Sequence, residues 1–460
     1  MVKRSILQRT ARGLKSEVGL YWFACLPAIL IFLAVSLYNH PLVDDFWCTS
    51  MVRKYGYWNA QVRLYNIVPP RYLGLALSCL TPLSFGNFSG YKIIPVLFIL
   101  LFVHVLAGLH RTLGGRGQLS YWNVILPAML FVALYLSVMP GVAEGIYWTS
   151  SLMVYHTGII LFIIWCDYAL RWYYLQRKPG YLIITSLCLA GMLGCNEIIS
   201  IVVAAVIAVI AVHRLWRKKR KGIDVMLAIQ FIVLISCLLF ILQFRGVGNR
   251  YSLIKTNASG SWLYSIGYSL VIDGNYIGKC LINPFFWALS IAWYRYCRKR
   301  AGIFFQGWPD LFEFRLSFLL TWAAILMVIP FVIVFITGHR PPLRICNMIV
   351  FFFLLGLPGP VAWMSARIQG RKYGPAAVIV FVLAGFLLRN NVSQGAQDLL
   401  SGDAVKYDKA LNGRYEMIRQ CKEDSCWVPR LERIPFVFRF APDLTEPHIN
   451  ENFGKNILIR

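Results

Sequence analysis

The chain has 460 residues, 58% of them hydrophobic and only 14% charged. Soluble domains carry about 25% charged residues, so this chain lacks the polar surface of a water-soluble globule. The net charge of +26 comes from 46 Lys and Arg against 20 Asp and Glu. These cations flank apolar runs instead of interleaving with aromatics on a polar domain, which argues against nucleic acid as a partner and for lipid head groups.

In chain order, the first apolar run, Tyr21 to Tyr38, follows Lys3, Arg4, Arg9, Arg12 and Lys15. It is long for a signal peptide and lacks a small-residue cleavage site, so it reads as a signal anchor. Further runs lie near 90–109, 121–139, 152–173, 181–194, 198–214, 225–243, 282–297, 316–337, 346–366 and 374–388. Crossing a bilayer takes about 20 apolar residues. The expected architecture is therefore an all-α polytopic membrane protein with about eleven transmembrane helices. The fifth and sixth runs, separated only by Cys195-Asn196-Glu197, leave that count open by one or two. A basic N-terminus (1–20) precedes the transmembrane domain (21–388), and a polar tail (389–460) follows it.

Charge asymmetry orients the chain. With the N-terminus inside, the inner segments 1–17, 110–117, 171–178, 213–221, 295–315 and 367–372 hold 24 Lys and Arg. The longer outer loops 39–87, 140–151, 194–197, 244–280 and 338–345 hold 10. That is the positive-inside pattern, with Arg217-Lys218-Lys219-Arg220-Lys221 as an inner anchor. The tail then lies outside, where Cys421 and Cys426 are free to bridge or to stay reduced. The tail reads as helical around 403–420 and irregular beyond. The sequons at Asn87, Asn257 and Asn391 all fall on the outer side. Loops 39–87 and 244–280 are rich in Tyr and Trp, which suits interfacial helices.

Carboxylates show the opposite bias. Asp44, Asp45, Glu144, Glu197 and Asp273 all fall at the outer face. In His40-Pro41-Leu42-Val43-Asp44-Asp45-Phe46 one acid is suited to act as a general base or to hold a divalent cation, or else to cap the following helix. Arg71, beside Pro69-Pro70, is placed to clamp a phosphate or to anchor at the interface. His339, Arg340 and Arg344 gather cations in an outer loop against the topological trend, as an anion site would require. Glu144, Tyr147, Trp148, Tyr155 and Glu197 mix acids and aromatics in a manner that suits sugar binding or a plain aromatic belt. No Walker or Rossmann glycine pattern occurs, which argues against ATP-driven transport.

These pieces together resemble the C-type (GT-C) glycosyltransferase superfamily, closest to bacterial multi-span proteins of the serotype-converting glucosyltransferase kind. The resemblance rests on Asp44-Asp45-Phe46 after span one, the aromatic loop ending in Arg71-Tyr72, Tyr147-Trp148-Thr149-Ser150-Ser151 with Tyr155, and the polar outer tail. Pro69-Pro70 departs from the small or polar pair more usual there. The resemblance implies transfer of a sugar from a polyprenyl-phosphate donor to a glycan or lipid acceptor on the outer side. Asp44 or Asp45 would be the catalytic or metal-associated acid. Arg71, His339, Arg340 and Arg344 would neutralise the carrier phosphate. Glu144, Tyr147, Trp148, Tyr155 and Glu197 would shape the sugar or acceptor pocket. The rivals are a transporter or flippase of a lipid-linked saccharide, which needs ionisable residues deep in the spans, and a polysaccharide polymerase or ligase.

Overall fold

The computed structural model describes residues 2–114, 121–216, 224–244, 256–307, 316–367, 375–439 and 447–459. The basic run 217–221 therefore lies outside the described residues. Helix α1 (Val2–Ser36) is followed by α2 (Asp44–Tyr55), α3 (Tyr57–Ile67) and α4 (Tyr72–Cys79), then by α5 (Ile94–Leu113) and α6 (Tyr121–Val138). After segment 139–156, which winds in short π-helical (Ala143–Tyr147, Leu152–His156) and α-helical (Thr149–Ser151) turns, come α7 (Thr157–Leu170), α8 (Pro179–Leu193), α9 (Glu197–Trp216) and α10 (Val225–Leu242). The second half holds α11 (Trp262–Ile282), α12 (Pro284–Gly307), α13 (Leu316–Thr337), α14 (Leu343–Gly356), α15 (Pro358–Arg367), α16 (Pro375–Leu387) and α17 (Asn391–Leu400). The tail contributes α18 (Asp403–Gln420), β1 (Ser425–Val428), α19 (Pro447–Phe453) and β2 (Asn456–Ile459).

The chain is an all-α polytopic membrane protein. By length and apolarity six described helices can cross a bilayer, and a seventh crossing results if α16 and α17, bent by 57°, count as one broken span. Three of the runs read as spans, near 121–139, 181–194 and 198–214, contribute apolar helical stretches of 10–17 residues (Val124–Val138, Pro179–Leu193 and Glu197–Val212), shorter than that criterion. The expected 282–297 run starts at the last residue of α11 and continues in α12 from Pro284. Helix α10 has only 11% of its apolar window buried and exposes Ile232, Leu239 and Leu242, as a helix bathed in hydrocarbon would. At the centre, α6 packs on α1, α5, α12 and α14.

Asparagines, four of them buried and Asn391 half-buried, stitch one end of this bundle. Their amides satisfy carbonyls that helix ends and loops leave without intrahelical partners. Asn39 Nδ2 donates to the carbonyls of Tyr91 (3.1 Å) and Tyr147 (3.0 Å). Asn196 donates to Val154 O and Asn283 to Ser137 O, each at 3.0 Å. Asn347 pairs with both backbone groups of Gly141, and Asn391 donates to Leu136 and Met139. Segments far apart in sequence thus share one end of the bundle, here called the site face.

Two expectations gain detail. The segment 244–280, whose aromatics suit an interfacial helix, contains from Trp262 a 21-residue helix. It lies across the span ends, because Gly260 N–H donates to Phe335 O at one end and Asn283 reaches Ser137 at the other. The tail is also more ordered than expected. Strands β1 and β2 pair in parallel, and Cys421 and Cys426 are bridged. The tail docks on the first loop: Lys92 pairs with Asp408 at 2.6 Å, Arg53 donates to Asn452, and Phe46 packs on Phe453. Burial lowers the pKa of His40, so its 3.0 Å contact with Asp408 is a neutral hydrogen bond and Lys92 supplies the ion pair.

Candidate functional site

Two arginines on the site face converge on one tyrosine. Arg71 precedes α4. Its position is set by Gly194, whose carbonyl accepts the N–H groups of Leu73 and Gly74 at 2.9 Å. A side chain at Gly194 would collide with the Tyr72 ring. From there Arg71 forks onto Glu197, the first residue of α9, with Nη2 to Oε2 at 2.9 Å and Nε within 3.2 Å of both oxygens. The planar guanidinium matches the carboxylate, and the helix N-terminus favours the acid there.

Arg344 stands in the first turn of α14. Glu144 Oε2 accepts its backbone N–H at 3.1 Å and lies 3.4 Å from its Nη1. Glu144 is 4% exposed, and burial raises its pKa, with the Arg344 charge opposing that rise. The Arg344 guanidinium stands 5.1 Å from the Trp148 ring centre, and both it and that of Arg71 stand 5.6 Å from the Tyr155 ring centre. Arg71, Glu144, Trp148, Tyr155, Glu197 and Arg344 thus form one cluster of two cations, two acids and two aromatics.

The paired acids of the first loop divide. Asp45 is fully buried, with Oδ1 accepting the N–H (2.7 Å) and hydroxyl of Ser150 and Oδ2 accepting Leu42 N–H at 2.9 Å. Desolvation raises its pKa to about 7, against those hydrogen bonds. This geometry ties the first loop to segment 143–156, the segment that also carries Glu144, Trp148 and Tyr155. Asp44 is half-buried and begins α2 directly after Val43, whose φ of +26° is a strained value for a β-branched residue. Strain of that kind persists only where surroundings over-determine it.

Other expected residues stand elsewhere. Tyr147 is fully buried and turned toward α1, its hydroxyl donating to Phe32 O at 2.9 Å, so it belongs to the core and not to the cluster. His339 and Arg340 are exposed, and Arg340 turns to the Tyr276 hydroxyl on α11. Arg71 and Glu197, assigned separate roles from sequence, bind each other. Stretches 39–45 and 338–345 both reach segment 143–156, at Ser150 and at Glu144 respectively. For a divalent cation at Asp44 and Asp45, the described residues offer no cluster of three His, Cys, Asp or Glu ligands, and both Asp45 oxygens already accept N–H or O–H donors.

Sequence reasoning named Ser150 only as part of a motif, without its role as partner of Asp45, and missed Asn347. An amide in the apolar run Ile345-Cys346-Asn347-Met348-Ile349 was the available signal, since polar groups in hydrocarbon are kept where they have partners.

Fold and cluster together define a multi-pass helical membrane protein with a guanidinium–carboxylate site at one end of its bundle. No protein-family model matches the chain, and no curated protein matches it.

Proposed function

We propose that this protein is a GT-C-like membrane glycosyltransferase that moves a sugar from a polyprenyl-phosphate-linked donor to a cell-envelope glycan or lipid acceptor. The observation that carries the reading is the convergence of Arg71 and Arg344 on Tyr155, at the end of the bundle where a lipid head group would sit. A polyprenyl chain stays in the bilayer, so its phosphate must be met at such an end. Each guanidinium now holds a carboxylate, and an arriving phosphate would compete with Glu197 for Arg71 by the same bidentate geometry. Charge grows on the phosphate as the glycosyl bond breaks, and the fixed cations would stabilise it. Asp44 is the better candidate for the general base, because Asp45 is occupied in holding segment 143–156.

The eleven-span count of this reading requires the three shorter apolar helices, the broken pair and α12 to cross as well. The docking of the tail on the first loop supports placing both on one side of the membrane, opposite the N-terminus. With the positive-inside bias, that side is the outside of a bacterial inner membrane. A flippase is less favoured. Its expected deep ion pair has a counterpart in Asp167–Arg171 (2.8 Å), but that pair lies i,i+4 near the far end of its span.

The test uses the full chain in lipid nanodiscs with two probes, polyprenyl phosphate and the phosphate-free polyprenol. The phosphate is expected to bind more tightly, with Arg344→Ala and Arg71→Ala each weakening it about tenfold, the worth of one charge-assisted contact. Equal binding of the two probes, or of mutants and parent, refutes the donor site.

A further inference from the structure

A cavity of about 150 Å³ lies between α5, α6, α12 and α14, away from the site face. Helices α5, α12 and α14 all start at that face, just after Tyr91, at Asn283 and at Arg344 respectively. The cavity wall runs along them toward the other end. Leu106, Leu134 and Leu289 are buried at its deep end. Leu113, Leu357, Pro358 and Val361 are half-buried at the far end, so the cavity opens opposite the site face. From Leu289 to Cys297 the wall follows α12 for about 12 Å at 1.5 Å per residue. That is close to the depth of one leaflet, half of the roughly 30 Å hydrocarbon core.

The walls select the occupant's chemistry. Leu, Phe, Pro, Ala and Val make up most of the lining. His110 Nε2 shares a hydrogen bond with the Tyr296 hydroxyl at 3.2 Å, and Trp293 Nε1 donates to Pro358 O at 3.4 Å. Ser290 and Cys297 are the other polar residues of the wall. A buried water needs about two to four polar partners, whereas an apolar cavity of about this volume stays dry and takes in a benzene-sized ligand. Between spans the apolar ligand at hand is a lipid chain, and a slot open at one end admits the chain tip. The mouth is basic: Arg111 stands two residues before Leu113, Arg298 directly follows Cys297, and both are exposed. Such cations attract anionic head groups. Polyprenyl phosphate fits less well, because the arginines proposed for its phosphate stand at the opposite end.

We propose that this cavity binds the acyl chain of an anionic glycerophospholipid from the leaflet opposite the site face, with its phosphate near Arg111 and Arg298. The chain braces four spans where they would otherwise face a void. The site does not depend on the function proposed above.

The experiment uses the full chain in phosphatidylcholine nanodiscs doped with phosphatidylglycerol that carries a diazirine near the end of one acyl chain. After irradiation, adducts are mapped by mass spectrometry. Adducts are expected on the wall, at Leu106, Phe131 and Leu289, and excess unlabelled phosphatidylglycerol should reduce them severalfold. Adducts on the hydrocarbon-facing Ile232 and Leu239 of α10 should fall far less. Phosphatidylcholine with the same diazirine should label the wall severalfold less, and Arg111→Gln with Arg298→Gln should bring phosphatidylglycerol down to that level. Ser290→Leu, which fills the slot, should remove wall adducts and leave those on α10. Should that variant not fold, competition on the parent decides alone. Wall adducts that respond to competitor no more than those on α10 overturn the site. Equal labelling by the two phospholipids, or displacement by polyprenyl phosphate and not by phosphatidylglycerol, overturns the anionic phospholipid as its occupant.

Discussion

Asp45 and Asp44 are adjacent in sequence but are expected to fail in different ways. Asp45→Ala strands two buried backbone donors, Leu42 N–H and Ser150 N–H, while the Ser150 hydroxyl can rotate to another acceptor. At about 1–3 kcal/mol for each stranded donor, the loss is about 2–6 kcal/mol. Asp45→Asn keeps the volume. Its amide oxygen can still serve Ser150, but its NH2 then faces Leu42 N–H, so roughly half that loss, about 1–3 kcal/mol, is expected. Asp44→Asn should abolish sugar transfer with a smaller effect on stability. The assay is thermal unfolding in detergent, with hydrogen exchange at the Leu42 and Ser150 amides as the local readout. Parent-like melting and parent-like exchange in both Asp45 variants would show that the carboxyl does not hold the loop, and the division of roles between the two acids would fall.

Titration gives a second test of Asp45. Its folded pKa is about 7 against a reference of 3.8, so between those values the fold holds a proton that the unfolded chain releases. Stability from this group therefore declines as pH rises through that window and levels off above it, and Asp45→Asn should flatten the slope in parallel melting curves. Asp408 has the opposite sign: its folded pKa is lowered to about 2 by its His40 and Lys92 partners despite some burial. Its contribution is complete above the unfolded carboxylate pKa and lost as pH falls toward 2, so acid should expose the tail to protease first, and Asp408→Asn should do so already at neutral pH. Glu197→Gln releases Arg71 from its fork and should tighten polyprenyl-phosphate binding; weaker binding would show that Glu197 orients Arg71 and does not compete for it. Gly194→Ala drives a methyl into the Tyr72 ring and should lower stability by about 1–3 kcal/mol in melting experiments, with phosphate binding falling in step because Arg71 is carried on the same turn.

Much of the membrane architecture was legible from hydropathy, because a helix in hydrocarbon must be apolar along its length. Polar residues between apolar runs had to lie at span ends, and Asp44, Arg71, Glu144, Glu197 and Arg344 do share one. The aromatic content of segment 244–280 pointed to an interfacial helix, and α11 is a helix lying across the span ends; its bounds were not legible, because Asp273, Asn275 and Lys279 interrupt its apolar residues. The tail beyond 420 carried too little periodicity to reveal that β1 and β2, separated by a long connection, would pair.

The sequence by itself determined that this chain is helical, lies in a membrane and keeps its acids and aromatics near span ends. The tertiary structure alone decided which of those residues meet. Arg71 and Glu197 are 126 residues apart, Arg344 and Glu144 are 200 apart, and Asp45 and Ser150 are 105 apart. No local pattern encodes such pairings, because they depend on which span ends become neighbours, and that follows from side-chain packing between helices over the whole bundle. Tyr147 makes the same point in reverse. It is a core tyrosine bonded to α1, while its immediate neighbour Trp148 stands beside Arg344, and only the packed chain shows which way each side chain turns.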